Sequence, residues 1–203
     1  MNHPNKIATI LGAKMDGGFY AGRIMIDDQP FALIVAPKLE GQTAINVPWI
    51  DEHKDVPGAL SYNDGLANTK AMAEAGSDLA KWAIDLRIGG NYDWYIPSLD
   101  ELEVIYRNLK PGAQENYCWA RSGINMSAIP PTHPYTPQFP LQTVAEAFQS
   151  GGAEAFEESL YWTSTRHVAD KDWAWSQGFC YGSQSCCTTD SKLRARAVRR
   201  SPI

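Results

Sequence analysis

A chain of 203 residues with a formal net charge of −5 is long enough for a hydrophobic core of its own and short of two full domains. The acidic balance argues against broad nucleic-acid binding, which needs a basic field over the phosphates; only "KLRARAVRR" near the C-terminus concentrates positive charge. No apolar run is long enough to span a membrane, and "MNHPNKIATILGAKMDGG" lacks the apolar stretch of a secretory leader.

Residues 18–36, "GFYAGRIMIDDQPFALIVA", read as a β-hairpin in which two β-rich runs flank the turn cluster "DDQP". Pro37, Pro48 and Pro57 keep residues 37–62 irregular. Between 64 and 87, Met72, Ala75, Leu79, Ala83 and Leu86 recur at helical spacing. Asn63 or Asp64 caps the start, Gly89-Gly90 stops the element, and Gly76 makes it one helix or two. A second helix is better marked. Ser98 and Glu101 in "SLDE" have capping-box spacing, Leu102, Ile105, Tyr106 and Leu109 form one stripe, and Pro111-Gly112 ends it. Residues 111–160 read as an insertion, with an extended loop at "IPPTHPYTPQFP" and a short helix at 141–149. From Tyr161 onward "YWTST", "WAWSQGF" and "LRARAV" read as strands. The sum is a single α+β domain over 1–203, a helix pair packed on a twisted antiparallel sheet: hairpin and loops over 1–60, the insertion, and a C-terminal sheet region over 161–203.

Three of the four cysteines lie in "FCYGSQSCC", residues 179–187. Structural zinc wants four ligands in paired spacing, whereas Cys180, Cys186 and Cys187 are spaced C-x₅-C-C and Cys118 is remote. Neighbours on a strand face opposite ways, so Cys186 and Cys187 do not converge on one ion; no metal or other cofactor is implied. A disulfide from Cys180 to Cys186 or Cys187 is geometrically open, though a core of this size does not need it and a reducing cytosol disfavours it. A catalytic thiol needs a base, and of His3, His53, His133 and His167 only the last is near in sequence. Alternation in "WAWSQGFCYG" puts Trp173, Trp175, Gln177 and Phe179 on one face and Ala174, Ser176, Gly178 and Cys180 on the other. The bulky set is expected in the core and the small set in solvent. Arg194, Arg196, Arg199 and Arg200 read as a solvated strand face with ion pairs.

"DWYIPSLDELEVIYRNL" resembles the W-x-x-P-[ST]-x-x-E-L helix start of a bacterial and phage domain family related to the C-terminal domain of the Legionella collagen-like protein. "YWTST", "AWSQGF", "GSQ" and "RARAVRR" are similar to that family's closing segment. The resemblance covers 92–110 and 161–200 and leaves 111–160 outside; the opening hairpin resembles that of phage-encoded members. It implies a C-type-lectin-like fold, without the "EPN" and "WND" calcium motifs. It also implies kinship with variable proteins of diversity-generating retroelements and with phage tropism proteins. In those systems AAC codons become NNC, which never encodes Lys, Gln, Glu, Met or Trp. Ser176, Gly178, Cys180, Tyr181, Ser185, Cys186, Cys187 and Leu193 are all NNC-encodable. With Arg166 and His167 they are the expected ligand-binding residues, forming one solvent-facing patch.

The function implied is a non-enzymatic receptor-binding protein of a phage tail or tail fibre, made in the host cytoplasm and carried on the virion. Its partners would be a host-cell surface receptor (protein or glycan), other tail proteins and further copies of itself, as in a trimer. Nucleic acid and membrane insertion are not expected. The alternatives are a bacterial surface adhesion module without diversification, and a formylglycine-generating enzyme, for which no cysteine-pair motif is present.

Overall fold

Two antiparallel sheets share the chain, in place of the single sheet expected from the strand runs. The computed structural model describes residues 10–51, 54–118 and 124–203; His3 and His53 lie outside them. The first sheet has the order β1-β2-β3-β7, built from Lys14–Met15, Gly18–Ile26, Gln29–Val35 and Val198–Pro202. The expected hairpin is β2–β3. Its two turn residues, Asp27 and Asp28, both have positive φ, 49° and 60°, the backbone that matches the twist of a tight hairpin. The second sheet has the order β4-β5-β6, built from Leu160–Arg166, Trp173–Gly178 and Gln184–Thr188.

Four helices accompany the sheets among the described residues: α1 (Lys38–Gly41), α2 (Gly65–Ala75), α3 (Asp78–Asp85) and α4 (Leu99–Leu109). The expected 64–87 helix is two. Gly76 takes φ 106°, and Ser77 opens α3 by accepting from the Ala80 amide. Asp64 caps α2. The end of the proline-rich segment supplies one 3₁₀ turn at Glu146–Phe148 rather than a helix over 141–149.

α4 packs against β2 of the first sheet and against β4 and β5 of the second, and so joins them. Its stripe, Leu102, Ile105, Tyr106 and Leu109, is buried with Phe19, Leu33, Tyr161 and Phe179. Tyr135, Phe148 and Phe156 belong to the same cluster, so residues 111–160 complete the core rather than decorate it. A second cluster gathers Trp49, Met72, Leu79 and Trp162 under α2 and α3.

The C-terminal basic run departs from its expected place. Leu193–Ala197 is not strand; it passes from one sheet to the other through isolated bridges, Arg194 beside Tyr161, Leu193 opposite Val47 and Arg196 opposite Gln42. The ion pairs are present, Arg199 with Asp93 and Arg200 with Asp64. The solvated face is not, because Arg196 is 1% exposed and Arg199 9%.

The capping box of α4 is closed inside the protein. Glu101 accepts from Ser98 N at 2.7 Å and Gly65 N at 3.1 Å through one oxygen, and from Tyr95 Oη at 2.6 Å through the other. Burial outweighs these bonds and pushes the carboxyl from 4.5 up to about 7. The folded state therefore holds a proton that the unfolded chain has released between these two values. Its contribution to stability is full below about 4.5 and is lost as pH rises through about 7. Glu101→Gln can accept both amides with its oxygen and donate to Tyr95, and carries no proton to lose. Thermal midpoints measured from pH 4.5 to 8 should fall with rising pH more steeply in the parent than in E101Q; parallel curves would refute the assignment.

Candidate functional site

Residues directly opposite one another in an antiparallel pair share a face. In the second sheet Ala174 lies opposite Cys187, and Ser176 lies opposite Ser185 and Trp162. This face turns into the cluster that holds Trp49 and Trp162, both fully buried. Those two indoles occupy the layer, and only small side chains fit beneath them, which is why Ala174 and Ser176 are fully buried. The other face carries Trp175 opposite Cys186 and Trp173 opposite Thr188. The expected orientation of the first half of β5 is thus inverted: the tryptophans point out and the small residues in. Phe179 is buried as expected, stacked on Phe156 at 4.0 Å and edge-on to Tyr106 at 5.6 Å.

The outward face is aromatic. Trp173 is 38% exposed and Tyr62 41%. Half-buried Trp175 lies between Tyr62, at 6.5 Å between ring centres, and His167, at 5.8 Å. Trp175 Nε1 and His167 Nδ1 have no hydrogen-bond partner, and neither does Gln177 Oε1 further along the strand. These three atoms are themselves buried, Gln177 fully so, and what the face offers a ligand is its flat, partly exposed apolar rings, which suit stacking.

The ten expected residues do not form one patch. His167 and Cys186 flank Trp175 on the outward face. Cys180 and exposed Tyr181 sit in the β5–β6 turn, where Tyr181 O accepts from Tyr117 N at 2.8 Å. Ser185 and Cys187 lie with Ser176 on the inward face, at the edge strand, where Ser176 Oγ donates to Ser185 O at 3.0 Å. Gly178 is buried, and a Cβ there would come within 2.7 Å of Ser183 Oγ. Arg166 is 7% exposed and holds the 55–56 segment through Val56 O and Asp55. Leu193 lies beyond β4, at the sheet edge away from β6, against Val47. Arg166, Ser176 and Gly178 are therefore buried structural positions, contrary to the expected exposure. Tyr62, Trp173 and Trp175 are the residues the alternation argument placed wrongly or passed over; the smallness of Ala174 and Ser176 was the available signal.

All four cysteines are free. Burial, with Cys187 adding, pushes the Cys186 thiol up to about 11, so at neutral pH it is a protonated and poor nucleophile. Among the described residues no thiol shares a hydrogen bond with a histidine, and no three His, Cys, Asp or Glu side chains converge where they could hold a metal ion.

A family model described as the Lcl C-terminal domain matches residues 43–199. The chain belongs to that family. The Lcl C-terminal span takes in residues 111–160, which the motif resemblance had set aside, in keeping with the three core aromatics this segment supplies. The β2–β3 hairpin precedes the span, and β4, β5 and β6 with their aromatic face lie wholly within it. No curated protein matches the chain.

Proposed function

We propose that this Lcl-type domain is a non-enzymatic ligand-binding module of C-type-lectin-like architecture, displayed on an exposed surface, with the outward face of β4-β5-β6 as its recognition surface. The observation that carries the reading is the row of partly exposed outward aromatics, Trp173, Trp175 and Tyr62. Membership of the Lcl C-terminal family supports an adhesion-type role. The surface we favour is that of a phage tail, where the receptor is a protein or glycan of the host cell and the domain repeats in a homo-oligomer beside other tail proteins. A bacterial cell surface suits the same chemistry. Weak contacts of one small face gain from such repetition. Of the NNC-encodable positions that keep some exposure, His167 and Cys186 lie on the outward face and Cys180 and Tyr181 in the adjoining turn, and retroelement diversification would act on recognition through these four.

The test is the combined variant W173S/H167S/Y181S/C186S, read by circular dichroism and by adsorption of labelled protein to a panel of whole bacterial cells. Trp173 and Tyr181 are exposed and tolerate change within about 0.5 kcal/mol each, and His167 and Cys186 are only half-buried, so the fold should survive while adsorption falls at least about tenfold. Undiminished adsorption by a folded variant would place recognition elsewhere.

A further inference from the structure

Arg107 stands on α4 with its side chain 7% exposed. Its Nε donates to Glu103 Oε1 at 2.5 Å and its Nη2 to the His133 carbonyl at 2.6 Å, while the guanidinium lies 4.5 Å over the Tyr135 ring. Nη1 has no hydrogen-bond partner. A buried donor left unpaired is costly, and an acceptor brought by a ligand removes that cost.

The same side chain lines a pocket of about 440 Å³ between β2, α4 and residues 128–133. β2 slips register between Tyr20 and Gly22, and Gly22 takes φ 139° at the pocket wall. A Cβ there would sit 2.6 Å from Asn108 Nδ2 and 2.8 Å from Val104 Cγ1, so glycine is what lets the bulge lie against the helix. The next residue, Arg23, is exposed and joins Arg107 and His133 in the lining. No Asp or Glu lines this pocket among the described residues, although the chain as a whole is acidic. Glu103 is already engaged, by Arg107 and by Asn125 Nδ2 at 2.7 Å. Most of the remaining wall is apolar, with Val104, Ala128, Ile129, Pro130 and half-exposed Phe139.

We propose that this pocket binds a small organic carboxylate with an apolar body, of the aryl carboxylic acid class, at a site separate from the β4-β5-β6 face. The carboxylate lies between Arg23 and Arg107, one oxygen accepting from the free Nη1 of Arg107 and the other facing the exposed Arg23. The body rests on Ile129, Pro130 and Phe139. An inorganic oxyanion would leave those apolar groups uncovered and lose its own hydration against them. A neutral ligand would leave the Arg23 charge without a counter-charge in the pocket lining, Arg107 being paired already with Glu103.

The intact chain titrated with phenylacetate, followed by calorimetry and saturation-transfer NMR, tests this. Phenylacetate should bind, and phenylacetamide, the same body without the charge, should bind at least about tenfold more weakly. Raising ionic strength should weaken phenylacetate and leave the amide unchanged. R23A should weaken phenylacetate by about threefold to tenfold, and F139A by a similar factor; both residues are exposed, so the thermal midpoint serves as the check that folding is kept. R107K, which keeps the charge and loses the free Nη1 donor, should weaken it further if its midpoint matches the parent's. The proposal is overturned by absence of phenylacetate binding, by equal binding of the amide, by sulfate displacing phenylacetate at equal concentration, or by R23A and F139A binding as the parent does.

Discussion

Arg196→Ala is expected to lower the unfolding free energy by about 3–5 kcal/mol, because it strips the partner from a carboxylate and unties two other segments of the chain at once. Arg196 lies in the run that crosses between the sheets, and no part of its side chain reaches solvent. Nε donates to Ala36 O at 2.9 Å and Nη1 to Glu154 O at 2.7 Å, while Nη2 pairs with the Glu154 carboxylate. The guanidinium is also 4.8 Å over the Phe156 ring. One side chain thus ties the end of β3, the 154–156 segment and the C-terminal run together. Burial pulls the Arg196 pKa down to about 10, still far above neutrality, so the charge persists and needs its partner. Lysine cannot serve three acceptors from a planar fork, so R196K should recover less than half the loss. Urea unfolding of the three proteins is the measurement, and a loss below about 1 kcal/mol for R196A would mean that the pair does not hold these segments.

Phe179→Ala should cost about 3–5 kcal/mol, and Trp175→Ala no more than about 1–2 kcal/mol, although the two residues belong to one alternation register. Phe179 is fully buried among Phe156, Tyr161 and Tyr106, with ring centres 4.0, 5.1 and 5.6 Å away. Removing it opens a cavity where α4 meets the second sheet. Trp175 sits on the outward face against Tyr62 and His167, and its loss exposes little that was dry. Guanidinium unfolding of both variants reads the difference directly. Equal losses would mean that Trp175 faces the core after all and that the aromatic recognition face does not exist.

What could be read from the sequence was whatever is decided locally. Ser98 and Glu101 cap α4 because their spacing alone brings the side chains to each other's amides. Asp27-Asp28 turns the hairpin because two residues between matched runs leave little other geometry. Alternation correctly divided β5 into two sets, and the one local hint of which set faces inward, the smallness of Ala174 and Ser176, reads as easily as a set of surface residues until the layer above them is known. That choice is made by Trp49 and Trp162, which fill the inner layer from elsewhere in the chain. The arginines misled for the same reason. Arg196 has the look of a surface residue until Glu154, 42 positions away, is placed beside it. The single sheet became two because Leu193–Ala197 bends from one layer to the next, and bridges of that kind leave no periodicity. The pocket at Arg107 was out of reach because its walls come from a strand bulge, a helix and a proline-rich loop.

The closing strand has a consequence for the order of assembly. β7 pairs with β3, so Val198 lies against Val35 and Pro202 against Phe31. The first sheet is therefore completed by strands far apart in sequence, residues 31–35 pairing with residues 198–202. The hairpin can form early from its own turn, but its free edge at β3 stays open until residue 202 has been synthesised. Closing a loop of that length costs entropy before any of the contacts it enables are made. Chains with such separated pairings fold slowly, and an apolar edge left waiting is open to pairing with another copy. Ile34 and Val35, buried in the finished fold, lie along that edge and stay uncovered until β7 arrives.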